Sequence, residues 1–236
     1  MAILSLFCVS LVIAGSPNAF SSILCCSLLI SGAFAGSMQD ANMYMDAVLR
    51  DHLPNNVRFL NLDPVDVPAF NVKVDSTGFT NRDLKMEFRS GTLYGLLSTL
   101  RRRGDCGVPG WQGANVTTGC YMSLDGLRIT FDGSGKGYDM SGSKKDFSMD
   151  LVVEKTNAFV EATSWSGRPA VLKTLTVTGV NFRINMNKSL HLNSKRQKKF
   201  EKAISQGVQN LFLWVFYGSF REALNRSVAR VALPRA

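Results

Sequence analysis

Acidic residues and histidine are scarce in this sequence. Its 236 residues hold 18 aspartates and glutamates against 27 lysines and arginines, and only 2 histidines, His52 and His191. Metalloprotease helices, zinc sites and most nucleophilic triads draw on histidine, and no HExxH, CxxC or GxSxG pattern occurs. His52 falls in a helical pattern and His191 in the turn-like NKSLHLNSK. No catalytic residue, metal ligand or cofactor is therefore assigned, and enzyme chemistry is disfavoured. The glycine-rich DGSGKGYD at 132–139 lacks a glycine five residues before Gly135-Lys136 and has Gly137 in place of a hydroxyl residue, so it predicts a hairpin turn and not a phosphate loop. It also lacks the acidic spacing of a calcium loop.

Long apolar runs are missing too. A bilayer-spanning helix needs about 20 apolar residues. The longest candidates, AILSLFCVSLVIAG and ILCCSLLISGAFAG, are separated by Ser16-Pro17-Asn18. They lie in a 35-residue N-terminal stretch with no charged side chain, which ends in Ala33-Phe34-Ala35. This A-x-A site predicts a secretory signal over 1–35 and a single domain over 36–236. The uncharged start leaves an earlier cut after Ala14, or an uncleaved anchor, open. All of the formal charge of +9 then falls on the secreted domain, where it favours anionic surfaces.

Cysteine is sparse once the signal is set aside. Cys8, Cys25 and Cys26 leave with it, and Cys106 and Cys120 remain. An even pair in an oxidising compartment predicts a disulfide. Asn115-Val116-Thr117 between them is a glycosylation sequon, which needs an exposed loop. Asn187-Lys188-Ser189 is a second candidate, and Asn225-Arg226-Ser227 falls inside a predicted helix.

What the chain does have is two clear periods. Residues 37–53 place Met38, Ala41, Met45, Val48 and Leu49 at helical spacing behind Ser37, and Leu53-Pro54-Asn55-Asn56 should end that helix. From Phe70 to about residue 190 the period is two. The sets Phe70/Val72/Val74, Leu84/Met86/Phe88, Cys120/Met122/Leu124, Leu127/Ile129/Phe131, Phe147/Met149/Leu151/Val153 and Val180/Phe182/Ile184/Met186 alternate with polar residues. Antiparallel strands with one dry face read this way. The alternation slips at Asp125-Gly126 and at Gly179, where glycine can host a bend. Turns are predicted at Ser76-Thr77-Gly78, Asp132-Gly133-Ser134-Gly135 and Ser141-Gly142-Ser143.

After Ser194, a plausible N-cap, the period becomes 3.6 as far as about Val231. Within that helix LFLWVFY at 211–217 is apolar on every side, and Gly207 and Gly218 bracket it. A helix that is apolar all round is normally surrounded. The predicted fold is α+β: a strongly curved antiparallel sheet wrapped around a long C-terminal helix, with a short N-terminal helix beside it.

This order of elements, with DPVDVP at 63–68, DLKMEFRSGTLYGLLSTLRRRGDC at 83–106 and LFLWVFYGSFREALNRSVARVALP at 211–234, resembles the mite group 7 allergens. Beyond them it resembles the tubular lipid-binding superfamily of bactericidal/permeability-increasing protein and the insect juvenile-hormone carriers. The resemblance implies a half-tube whose apolar groove holds a lipid or another elongated hydrophobic molecule, with no catalytic residues. Periodicity supplies the candidate lining: Leu211, Phe212, Trp214, Val215, Phe216, Phe220, Phe182, Ile184, Leu151 and Met149. The pair of cysteines departs from the mite proteins.

Two basic clusters support a competing expectation, Arg101-Arg102-Arg103 and Lys195-Arg196 with Lys198-Lys199. Through them a secreted protein could hold anionic lipid, lipopolysaccharide or glycan while its interior stays purely structural. Nucleic acid is not expected as a partner, because the aromatics fall mainly on dry faces instead of interleaving with these clusters. The oligomeric state is not readable from the sequence.

Overall fold

The computed structural model of the protein describes residues 36–76, 82–137, 143–165, 168–190 and 192–236, all within one compact unit over residues 34–236. The predicted signal, most of the turn at 76–78, two residues of the turn at 141–143 and His191 lie outside the described residues.

The first helix starts where its sequence supplies a cap. Ser37 and Asp40 form a reciprocal capping box at the start of α1 (Met38–Ala47). The helix does not stop at Pro54. It runs through one π-helical turn, Val48–His52, into α2 (Leu53–Phe59), with Pro54 in the first turn of α2. Proline is tolerated there because first-turn N–H groups have no helical partner.

Eleven strands follow among the described residues: β1 (Val65–Val67), β2 (Phe70–Val74), β3 (Leu84–Tyr94), β4 (Arg101–Arg103), β5 (Gly110–Gln112), β6 (Asn115–Ser123), β7 (Arg128–Lys136), β8 (Lys145–Glu154), β9 (Asn157–Trp165), β10 (Val171–Thr178) and β11 (Asn181–Met186). Every ladder is antiparallel. The single expected sheet is resolved into two. One runs β1-β3-β7-β8-β11 with β2 also on β3, and the other runs β10-β9-β6-β4 with β5 also on β6.

The chain passes between the two sheets four times: through the segment from β3 to β4, and at three tight junctions where β6 runs on into β7, β8 into β9 and β10 into β11. At these junctions Gly126, Lys155 and Gly179 adopt φ of 92°, 50° and 53°. Glycine takes such angles without the usual penalty, which explains the slips in alternation at Gly126 and Gly179. Thr156 ties the junctions together. Its carbonyl accepts from Leu124 N–H at 3.0 Å, and its hydroxyl accepts from Asn181 N–H at 3.1 Å.

The glycines of DGSG are not a turn. Residues 132–135 lie inside β7, where Gly133, Ser134 and Gly135 are paired on both sides, with β3 and β8. Their lack of a side chain makes room instead: a Cβ on Gly133 would lie 2.9 Å from the Phe147 ring. The chain reverses only after Lys136.

The C-terminal helical segment is capped by Asn193, whose side chain accepts from Arg196 N–H, so Ser194 is already helical. It comprises α3 (Ser194–Val215), a π-helical turn over Phe216–Phe220, and α4 (Arg221–Val228). Gly218 leaves helical geometry in that turn, at φ −91° and ψ −110°, and kinks the helix. The core joins both sheets to both helical segments. Asn225 Oδ1 accepts from Leu172 N–H at 2.9 Å, anchoring α4 to β10, and Asn56 Nδ2 donates to Ser227 Oγ at 2.8 Å, joining α2 to α4. Tyr44 donates to the Val228 carbonyl at 3.2 Å, and burial raises its phenol pKa well above the ordinary value.

Candidate functional site

Helix α3 buries one stripe, Phe200, Ile204, Val208, Phe212 and Val215. Along one flank it lies hard against β2, where a Cβ on Gly207 would stand 3.0 Å from the Phe70 ring. The opposite flank, toward β11, is open. Phe182, Ile184 and Met186 share the inward face of β11 with their β8 partners Val153, Leu151 and Met149. Those partners are buried, whereas the three β11 residues are only half-buried.

The result is a cleft of about 390 Å³ between β11 and α3, lined by Phe182, Ile184, Lys198, Glu201, Lys202 and Ser205. Phe182 and Ile184 form its apolar side, and its helical wall carries two ammonium groups and the Glu201 carboxylate, which accepts from Gln197 at 2.8 Å. Lys195, Lys198, Lys199 and Lys202 are exposed, and none has an ion-pair partner among the described residues. An acyl chain could lie on the apolar side with an anionic group against the lysines. Lys202 was not among the sequence candidates, although its i+4 spacing from Lys198 puts both on one helix face.

The sequence candidates separate into three groups. Phe182 and Ile184 line the cleft. Phe212, Val215, Phe216, Phe220, Met149 and Leu151 are buried in the core beneath it, and Leu211 is half-buried. Phe212 connects the two regions, meeting Phe182 edge to face at 6.1 Å and Phe216 in a stack at 4.8 Å. Trp214 faces solvent, 64% exposed, and Tyr217 is exposed beside it. The expectation that 211–217 is surrounded is thus corrected. A 3.6-residue period turns the side chain of Trp214 away from the stripe of Phe212, Val215 and Phe216, and absence of charge does not mark which face is buried.

The basic clusters are corrected as well. Arg196 is 2% exposed and is not a surface residue. Its guanidinium donates to the carbonyls of Gly137, at 2.8 Å, and Arg82, its Nε has no partner among the described residues, and burial lowers its pKa. Arg102 is also committed. It holds both carboxylate oxygens of Asp46 at 3.0 Å, and the Asp46 hydrogen bonds raise its pKa. Arg103 reaches Asn157 at 2.8 Å and Asp125 at 3.9 Å. Arg101 is exposed.

Cys106 and Cys120 are disulfide-bonded, as the sequence predicts. The bridge anchors an excursion beside a second concavity of about 460 Å³, whose lining includes Trp111, Tyr121 and Phe159. Sequence periodicity missed it because Trp111 and Tyr121 are exposed on their strands. Among the described residues no group of three His, Cys, Asp or Glu side chains could hold a metal ion, and no helix is long and apolar enough to cross a membrane.

No family model matches the chain. Salivary anticoagulant protein P23 of Ixodes scapularis is 28% identical over 219 residues, which cover 90% of this chain and 97% of that protein. A crystal structure of lipopolysaccharide binding protein aligns over 80% of this chain at a TM-score of 0.49 and 17% identity, and this chain spans 39% of that one. Neither is a mite group 7 allergen, so that finer resemblance stays an expectation.

Proposed function

We propose that this protein is a secreted, non-enzymatic binder of an anionic lipid or a similarly elongated amphipathic molecule. The observation that carries this reading is the cleft between β11 and α3, where half-buried Phe182 and Ile184 lie beside Lys198 and Lys202, which have no ion-pair partner among the described residues. Folding normally buries an inward apolar strand face, because each fully buried side chain contributes about 1.5–3 kcal/mol. Here the strand across the ladder is buried and β11 is not. An acyl chain laid along β11 would complete that burial, and its charged end would meet the lysines.

The wall beside Phe212, Phe216 and Phe220 is filled by their own rings. This reading therefore puts the ligand at the flank of the helix and not along its buried stripe. The earlier alternative, an anionic surface held by basic residues, merges with this reading on the α3 side and loses support at Arg102, which Asp46 already neutralises.

The test is secreted expression followed by organic extraction and native mass spectrometry, with binding of anionic and zwitterionic vesicles measured in parallel. Co-purified lipid, and anionic binding that weakens with salt and drops in Lys198→Glu/Lys202→Glu, are expected. Absence of lipid together with unchanged vesicle binding in the double variant would overturn the proposal.

The name of the tick relative adds a physiological direction. If anticoagulant activity extends to this chain, masking of anionic phospholipid would be its route under this reading. Prolonged plasma clotting that is reversed by excess anionic vesicles and weakened in Lys198→Glu/Lys202→Glu supports that route. Prolongation indifferent to both excludes it.

A further inference from the structure

Three sequons occur in the chain, and their surroundings differ sharply. Asn225 lies in α4, its Oδ1 accepting from Leu172 N–H. Asn187 extends the β11 ladder and its Oδ1 accepts from Ser148 N–H at 2.8 Å. Asn115 stands at the start of β6, next to the reversal from β5, and its carboxamide has no hydrogen-bond partner among the described residues.

The cross-strand neighbours of Asn115 are specific. On one side it pairs with Gln112 of β5, on the other with Trp165 of β9. Directly opposed residues in an antiparallel ladder point to the same face, with Cβ atoms about 4.5–5.5 Å apart. Trp165 is 59% exposed, and the guanidinium of Arg168 lies 5.6 Å from its ring centroid. The indole is thus held beside Asn115, the sequon amide for which the described residues supply no hydrogen-bond partner.

We infer that Asn115 carries an N-linked glycan and that Trp165 is the platform for its first sugar, the apolar ring face of an N-acetylhexosamine lying against the indole. In the transfer, Nδ2 of Asn115 forms a bond to the anomeric carbon of the oligosaccharide and loses one proton. The polyprenyl diphosphate that carried the oligosaccharide leaves with the bonding electron pair. Thr117, whose hydroxyl lies 3.0 Å from that of Thr163, then holds the attachment strand to β9, so the sugar and Trp165 keep one register. This inference is independent of the lipid-binding cleft.

The experiment uses the full chain secreted from a eukaryotic host, with glycans trimmed enzymatically to one N-acetylglucosamine. Peptide mass spectrometry should find the sugar on Asn115. Hydroxyl-radical footprinting should then find Trp165 oxidised at least about twofold more slowly than in Asn115→Gln, since one of its two ring faces becomes covered. Trp214, exposed and remote in sequence, serves as the unaffected reference. Melting temperature gives a second readout: loss of the sugar should lower it by about 2–4 °C in the native chain and by less in Trp165→Ala. An unmodified Asn115, or a modified one with Trp165 oxidation and the melting difference both unchanged, overturns the inference.

Discussion

Phe212 stacks on Phe216 with ring centroids 4.8 Å apart, and Phe216 continues onto Phe220 at 4.3 Å. The three rings repeat every fourth residue across the junction from α3 to the π-helical turn, so the kink at Gly218 is spanned by aromatic contact. Phe216→Ala should therefore destabilise the fold by about 3–5 kcal/mol. Trp214→Ala, two residues away but solvent-facing, should stay within about 0.5 kcal/mol. Chemical denaturation of both variants checks the contrast, and equal losses would show that the helix is oriented otherwise.

Gly207 holds α3 against β2, and the Phe70 ring it touches is itself stacked on Phe88 at 4.4 Å. That ring has little room to retreat. Gly207→Val should cost about 1–3 kcal/mol through overpacking, in spite of any gain over glycine in helix propensity. If Phe182 and Ile184 then become more exposed to footprinting, the two flanks of the helix are mechanically linked.

Much of this architecture could be read from the chain, and the misses share a cause. The strand sets ending in Phe131, Val153 and Met186 were legible because one face of each strand is apolar. β9 was not, since its buried residues include the small Ala158 and Ala162 while Phe159 points outward. The glycines at 133 and 135 resembled a turn because local propensity cannot register the Phe147 and Met86 side chains that cross them. Arg196 was assigned to the surface because charge predicts exposure, and only tertiary structure brings the carbonyls of Arg82 and Gly137 to it. Phe182 and Ile184 were found from period alone, but that period could not say that β11 would be left half-covered.

The N-terminal cap should make stability fall in acid. Asp40 accepts from the Ser37 N–H at 2.7 Å and the Ser37 hydroxyl at 2.8 Å, the backbone bond doing most to hold its pKa below 3.8. A carboxylate depressed in the folded state contributes stability that is complete above its unfolded value and is lost as pH falls through the folded one. Ser37→Ala should lower the melting temperature by about 2–4 °C at neutral pH. The gap to the native chain should narrow as the pH drops below 3.8. Ser37→Ala keeps the backbone N–H and removes only the hydroxyl bond, so a gap constant down to strong acid would show that the Ser37 hydroxyl does not hold Asp40. Asp83 and Asp51, also depressed, are common to both chains and cancel in the difference.

Arg196 presents opposing effects that magnitudes can separate. Burying a guanidinium without a carboxylate is unfavourable, and one of its nitrogens, Nε, finds no acceptor among the described residues. Yet it serves two carbonyls, those of Gly137 and Arg82, which join β7 and the approach to β3 to the first turn of α3. Removing a donor leaves a buried acceptor unsatisfied at about 1–3 kcal/mol, and here two acceptors would be stranded. Relief of the desolvated charge offsets part of that loss. Arg196→Ala should consequently lower stability by about 2 kcal/mol net, measured by denaturant unfolding with an unchanged m-value. Because Lys198 and Lys202 lie on the exposed side of the same helix, anionic vesicle binding per folded molecule should be retained in Arg196→Ala. A variant as stable as the native chain but deficient in anionic binding would instead make Arg196 part of the ligand site.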